Sequence, residues 1–558
     1  MKEMTTPAHR VEPPVQAVSN CRKARQLALW SVLASAFGQL WIEASVVNAI
    51  SVFIVATLSA ITFQFVVRGS VFRALPLPAL IVLGFNISTM SGALIAQTLS
   101  LRPLVYNLIV PQTTFVLCAL FQISLLGALY IFLSSSTLRA ASRTINRRVL
   151  GRMGVMQAPS PMQLWIMGLI GSSAMLGTGS NEYGDVGGKF IAGLSYLAFA
   201  PFVIPILDKI FPLRHSSSTT RATKWLLLVY IILLVMIAMV RNSRGIFMMG
   251  ITNLGMAAIL LMLLGQLRVT ARLRRGLAVG AVMALMVAPL AADLAIAMVV
   301  VRGDRNEVTG TELVALTISA FTDKPALENY RKAVANNAGM GIYDENYLSN
   351  PFVARFVNTK FFDNTLSYED VRRGNRADQL WGVTLDKIGA FLPTPVLRGL
   401  GIDINKRDLE FSMGDALYNA QTGSGLGGYR TGSPVGHGMA LMGPLVFFAA
   451  VPLFILAFMA VQSLTFSVGS FIVISPVILL QLMSVYSLAV GDSLIEPIGL
   501  MLRTLPQNIL IYWMVYQGSR WVSGFRKRKL GSQRAIGANA TAYSARDIVS
   551  AAAKQHKL

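Results

Sequence analysis

Long apolar runs separated by short polar turns make up most of the chain. A helix that crosses a bilayer needs about 20 largely apolar residues. Twelve segments fit that pattern: 26–42, 46–67, 74–99, 104–134, 162–179, 188–207, 224–240, 246–267, 277–301, 438–463, 467–490 and 497–519. The pattern predicts an all-α polytopic membrane protein with about 12 transmembrane helices. The stretch 104–134 is longer than a bilayer requires, which predicts tilt or extension beyond it. The polar run before the first apolar segment lacks the form of a cleavable signal peptide, so the first helix is expected to direct insertion.

Residues 302–437 break the pattern. They hold 15 Lys+Arg and 16 Asp+Glu, with Asn, Gly and aromatic residues in a mix typical of soluble domains. Within them, 311–321 and 324–335 read as short helices. Asn350-Pro351, Leu392-Pro393 and Thr394-Pro395 read as punctuation, and 414–436 is rich in glycine. A loop this long is usually functional or disordered, and its apolar content favours a folded cap.

Lysine and arginine outside that loop fix an expected orientation. They concentrate in 1–25, 68–73, 135–161, 208–223, 268–276 and 520–558, whereas the short segments on the other side hold only Arg102, Lys189, Arg241 and Arg244. Basic residues favour the cytoplasmic side. The chain then divides into a cytoplasmic segment 1–25, helices one to nine over 26–301, an extracytoplasmic loop 302–437, helices ten to twelve over 438–519, and a basic cytoplasmic tail 520–558.

Composition agrees. Hydrophobic residues make up 54% of the chain, charged residues 13%, and mean hydropathy is +0.57. Soluble domains carry about 25% charged residues, so an ordinary soluble enzyme and a disordered chain are both excluded. The net charge of +23 follows from the cytoplasmic turns and suits anionic lipid, not nucleic acid. Cys21 and Cys118 lie in unlike surroundings, which excludes a disulfide framework and a cysteine-based zinc site. The pattern Gly423-Ser-Gly425-Leu-Gly427-Gly428 follows no predicted strand, and reads as a hinge instead of a dinucleotide site.

Four clusters on the extracytoplasmic side could carry chemistry. Ionisable groups at membrane depth are costly and therefore informative. Arg241-Asn-Ser-Arg244 and Arg302-Gly-Asp304-Arg305 repeat one spacing, and guanidinium forks match phosphate oxygens. Asp304 could serve as a base or pair with its arginines. His437, between Gly436 and Gly438, is the one histidine at the outer membrane edge and could act as acid or base. Asp492, Glu496 and Arg503 surround the last turn; Arg503 lies inside an apolar run and is expected to have a partner, for which Asp293 is a candidate, or to face a watery cavity. For each cluster the alternative is a structural role: headgroup contact, an ion pair or a helix cap.

Arg241-Asn-Ser-Arg244-Gly245 at an outer hairpin resembles the Ser-Arg segment of bacterial polysaccharide repeat-unit polymerases, the Wzy-type O-antigen and exopolysaccharide enzymes. The stretch from Gly432 to Pro444 resembles the small-residue entry to the helix after their large periplasmic loop. The general layout is shared over 26–520, and O-antigen ligases share it too. The departure from the family is His437, where acidic or aromatic residues are frequent. The resemblance implies a GT-C-like architecture in the bacterial inner membrane and a glycosyltransferase without metal or other cofactor. Its donor and acceptor would be oligosaccharides on undecaprenyl pyrophosphate. It would work in membrane lipid, alongside a flippase and a chain-length regulator. Arg241, Arg244, Arg302, Arg305 and Arg503 would hold pyrophosphate, and Asp304 or His437 would take the acceptor proton. A ligase of the same superfamily and a transporter remain the alternatives.

Overall fold

The apolar runs fold as helices, and prolines set the start of several. A computed structural model of the chain describes residues 15–177, 186–211, 221–243, 245–268, 270–301, 308–337, 344–345, 347–348, 353–368, 377–428 and 430–531. Among the described residues, six helices are long and apolar enough to cross a membrane: Val46–Val66, Pro76–Leu99, Pro111–Ser134, Phe190–Ile210, Arg221–Val240 and Pro434–Gln462. The chain is thus a helical membrane protein by length and composition of its helices. Pro76, Pro111 and Pro434 sit in the first turns of theirs. A helix start tolerates proline because the missing N–H has no intrahelical partner there.

Other expected segments are helical without belonging to those six. Residues 26–42 lie within Val15–Ile42, 162–179 within or beside Pro161–Gly177, 246–267 along Gly245–Leu263, and 277–301 along Ala271–Val300. The last expected helix runs through Glu496–Gly499, a π-turn at Leu500–Thr504, and Leu505–Gly531. The short helices expected at 311–321 and 324–335 are Gly310–Thr322 and Lys324–Asn337. The first opens on a capping box, in which Thr309 and Glu312 satisfy each other's backbone N–H.

Two expectations need correction. The run 467–490 is not one helix. Thr465–Val468 and Phe471–Ile474 pair as an antiparallel hairpin, followed by short turns Pro476–Leu479, Leu482–Tyr486 and Leu488–Val490. Gly469, at φ 55°, makes the tight turn, and β-branched Ile472, Val473 and Ile474 favour a strand. Asn253 then satisfies the broken backbone: its side chain donates to Leu480 O (2.9 Å) and accepts from Met483 N (2.8 Å). Irregular backbone at membrane depth survives where protein supplies such partners. The stretch 104–134 does not extend as a long tilted helix either. Asn107 adopts φ 55°, and the helix begins only at Pro111.

Aromatic packing joins three of the spans. Phe85 lies 5.1 Å from Phe121, and Phe121 meets Phe454 edge-on at 5.9 Å, centroid to centroid. Ser195–Ile206 is a long 3₁₀ run containing Pro201 and Pro205. It lies so close to Pro161–Gly177 that a Cβ on Gly171 would fall 2.1 Å from Ala198 N. Only glycine admits that approach.

Side-chain contacts sort the turns into two ends. At one end Asn20 donates to Met262 O (2.7 Å), Arg73 to Ser470 O (2.6 Å), and Asn146 to Ser463 O (2.5 Å). At the other, the turn 100–110 and the segment before the last helix meet residues 344–437.

Candidate functional site

A short, fully enclosed helix fastens the long polar region to the bundle. Thr359–Ser367 buries Thr359, Lys360, Phe362, Asp363, Asn364, Thr365 and Leu366. Asp363 accepts from Ile109 N (2.7 Å), Val110 N (2.9 Å) and Thr114 Oγ1 (3.2 Å), just ahead of the helix that starts at Pro111. A carboxylate there meets the free N–H groups and the positive end of that helix. Lys360 Nζ lies 3.4 Å from Asp363 Oδ2 and donates to Asn107 O at 2.5 Å. Both side chains are buried, so each charge depends on the other. Asn358 N donates to Ser88 O (2.7 Å) and Thr359 Oγ1 to Thr89 O (3.0 Å), which ties the helix to the π-turn Ile87–Ser91.

Beside this clamp lies a second polar cluster, built from four separate stretches. Asp492, in the turn before the last helix, accepts from Met413 N (2.5 Å) and Gly432 N (2.6 Å). A Cβ on Gly432 would fall 2.3 Å from Asp492 O, so this approach also requires glycine. Ser433 then caps Pro434–Met442 by accepting from Gly436 N (3.0 Å), and its hydroxyl shares a hydrogen with Thr365 (2.6 Å). Asp415 pairs with Arg430 (3.3 Å), whose guanidinium lies over the Tyr418 ring at 3.8 Å. Lys387 donates to Phe411 O (2.5 Å) and Leu409 O (3.2 Å) and stands over the Phe411 ring.

Charge coupling links these groups. Burial lowers the affinity of Lys387 for its proton, against the pull of Asp492, Glu496 and Asp415. Burial, then Asp492, holds the Glu496 carboxyl above the ordinary range, opposed by Lys387. A carboxylate made more basic in this way is suited to take a proton from a hydroxyl. Burial likewise raises Tyr368, against Arg430. Among the described residues, no three His, Cys, Asp or Glu side chains converge in the manner of a metal site.

The residues singled out in the sequence fall in different places. Arg241 is half-buried in its turn and donates to Met175 O (2.9 Å); the following Asn242 has φ 45°. Gly310 abuts Val240, so the helix Gly310–Thr322 begins beside this turn. Arg244, Arg302, Asp304 and Arg305 lie outside the described residues. His437 is fully buried. Its Nδ1 accepts from Leu494 N (3.3 Å), so Nε2 carries the proton and donates to Thr384 Oγ1 (2.9 Å). Thr384 in turn donates to Leu380 O (2.6 Å). Both ring nitrogens are thus engaged, joining three segments at the cluster.

Arg503 does not have Asp293 as its partner. It is exposed, and Asp293 pairs with Arg331 instead. Arg503 lies within the π-turn Leu500–Thr504. Standing near the start of the helix, its long side chain can reach toward the end of the bundle. Lys360, Asp363, Lys387, Asp415 and Arg430 were not singled out. All five lie in stretches of soluble-like composition, where a charge usually means a solvated surface. No family model, curated protein or solved structure matches this chain.

Proposed function

We propose that this chain is a membrane glycosyltransferase that joins lipid-linked oligosaccharide repeat units into O-antigen or exopolysaccharide. It would have twelve spans and work at the periplasmic face of the bacterial inner membrane. The observation that carries the reading is the assembly of cations and carboxylates at one end of an apolar bundle. Lys387 and Arg430 stand there with Asp415, Asp492 and Glu496, and the expected topology puts Arg241 on the same side. The resemblance of Arg241–Gly245 and Gly432–Pro444 to repeat-unit polymerases supports the same reading.

The chemistry sets the demands. The bond between the donor's anomeric carbon and its pyrophosphate oxygen breaks, and the acceptor hydroxyl oxygen forms the new glycosidic bond. The hydroxyl proton passes to a base, and pyrophosphate leaves on its lipid. Fixed guanidinium groups stabilise the charge that develops on the leaving group. Arg241 with Arg244, and Arg302 with Arg305, are the proposed pyrophosphate contacts. Asp304 and His437 are the proposed bases, and the raised proton affinity of Glu496 adds it to them. For His437 to act as a base, the contact between its Nδ1 and Leu494 N must open.

A transporter draws support from one observation, the broken backbone over 476–490, because discontinuous helices often line substrate sites. Purified protein in proteoliposomes separates the readings. Given carrier-linked oligosaccharide alone, a polymerase yields a ladder of longer carrier-linked products. A single transfer that occurs only when a second acceptor lipid is added indicates a ligase. Movement of substrate without new bonds indicates a transporter. Arg241→Ala should abolish the ladder while protein level holds; an unchanged ladder would remove Arg241 from the site.

A further inference from the structure

We propose that the helices Ala377–Ala390 and Thr394–Gly399 lie on the membrane, with one apolar flank set into the boundary between lipid headgroups and acyl chains. The first helix has three distinct sides. Leu380 and Thr384 face the protein and are buried. Asp378, Gly382 and Asp386, spaced four apart, form an exposed polar row. Between these sides stand Trp381 and Leu385, also four apart and exposed; Leu385 is 58% open. A helix that faces protein on one side and water on the other has no reason to present tryptophan and leucine on a third. A lipid boundary supplies one.

The second helix repeats the arrangement. Leu397 is buried, whereas Val396 and Leu400 are exposed, Leu400 by 62%, and exposed Ile402 follows. Arg398 is exposed beside them and suits a headgroup phosphate.

The position of Trp381 identifies what covers this flank. Its indole Nε1 donates to Leu441 O (3.2 Å), within the span Pro434–Gln462. A hydrocarbon core needs about 20 residues of helix, and those from Gly443 to Gln462 already supply that length. Leu441 therefore lies at the edge of the core. Leu445 and Phe448, just past it, are 66% and 77% exposed and begin the apolar surface that the span turns to lipid. Trp381 is thus anchored to the short helix Pro434–Met442, just ahead of the break at Gly443 where that surface starts. This is the depth at which an indole, apolar in body and polar at one edge, is favoured. At the far end of the same helix, Phe391 packs against Gly499 in the first turn of the last helix. The helix is held at the membrane end by both termini. The inference uses none of the chemistry proposed above.

Single spin labels test it in the full-length protein reconstituted in nanodiscs. Cys21 and Cys118 are both buried, so labels at Leu385→Cys and Leu400→Cys can be read against Asp386→Cys. All three positions are exposed, so the substitutions leave the core intact. Labels at 385 and 400 should collide more with oxygen, which concentrates in lipid, than with a water-soluble nickel chelate; the label at 386 should show the reverse. Equal nickel access at all three positions would overturn the proposal. Shielding of 385 and 400 from both reagents would overturn it too, because protein, such as a second copy of the chain, would then cover the flank.

Discussion

Two helices of the same polar region meet their surroundings in opposite ways. Thr359–Ser367 encloses a lysine and an aspartate, whereas Ala377–Ala390 leaves Trp381 37% and Leu385 58% exposed. In a soluble domain both would be errors. Here each follows from its neighbours. The first helix sits among the ends of spanning helices, whose unsatisfied N–H groups call for a carboxylate. The second lies along the outer edge of the bundle, next to a surface already given over to apolar side chains. Burial in this region is set by which wall a segment touches.

The comparison is broken most strongly at Asp363. Asp363→Leu leaves Lys360 buried without its partner and frees two backbone N–H groups, and should cost about 3–5 kcal/mol, read as a fall in the unfolding midpoint in detergent. A loss below about 1 kcal/mol would mean that water reaches the pair. Next comes Asp492→Ala, which releases the amides of Met413 and Gly432. Charged hydrogen bonds contribute about 1.5–3 kcal/mol each, and hydrogen exchange at Gly432 should accelerate accordingly.

The effect at Glu496 is smaller and depends on pH. Its carboxyl binds a proton more tightly in the folded chain than the ordinary value of 4.5. Above that value the folded state holds more protons than the unfolded one, so stability falls as pH rises through the folded pKa. Glu496→Gln should flatten that fall and be at least as stable as the parent at neutral pH. A loss of stability at neutral pH would assign Glu496 to a needed ion pair with Lys387. Least of all, Leu385→Asp should change stability in detergent by no more than about 0.5 kcal/mol, since the side chain touches no core. A large loss there would make the exposed flank part of a protein interface.

Legibility in the sequence followed the same division. Continuous apolar runs with a proline at the start, such as those from Pro76 and Pro434, fold as long helices where the pattern predicts. The run 467–490 is equally apolar, yet forms a hairpin and broken turns. Apolar content does not separate a buried strand from a buried helix, and the partner that makes the break tolerable, Asn253, lies more than 200 residues away. At the site, His437, Asp492 and Glu496 were legible because they stand out at the edges of apolar runs. Lys360, Asp363, Lys387, Asp415 and Arg430 were not, because in a polar stretch nothing local marks the charge that will be enclosed. Arg503 shows the converse: an apolar surrounding sequence predicted a partner or a watery cavity, and the side chain is exposed while Asp293 pairs with Arg331.

The central claim is that the polar end of this bundle extends glycans on a lipid carrier. The most direct test is the size profile of carrier-linked glycans in cells that lack the protein. The account predicts that single repeat units accumulate on the carrier and long chains vanish. Long chains that still form on the carrier would contradict it.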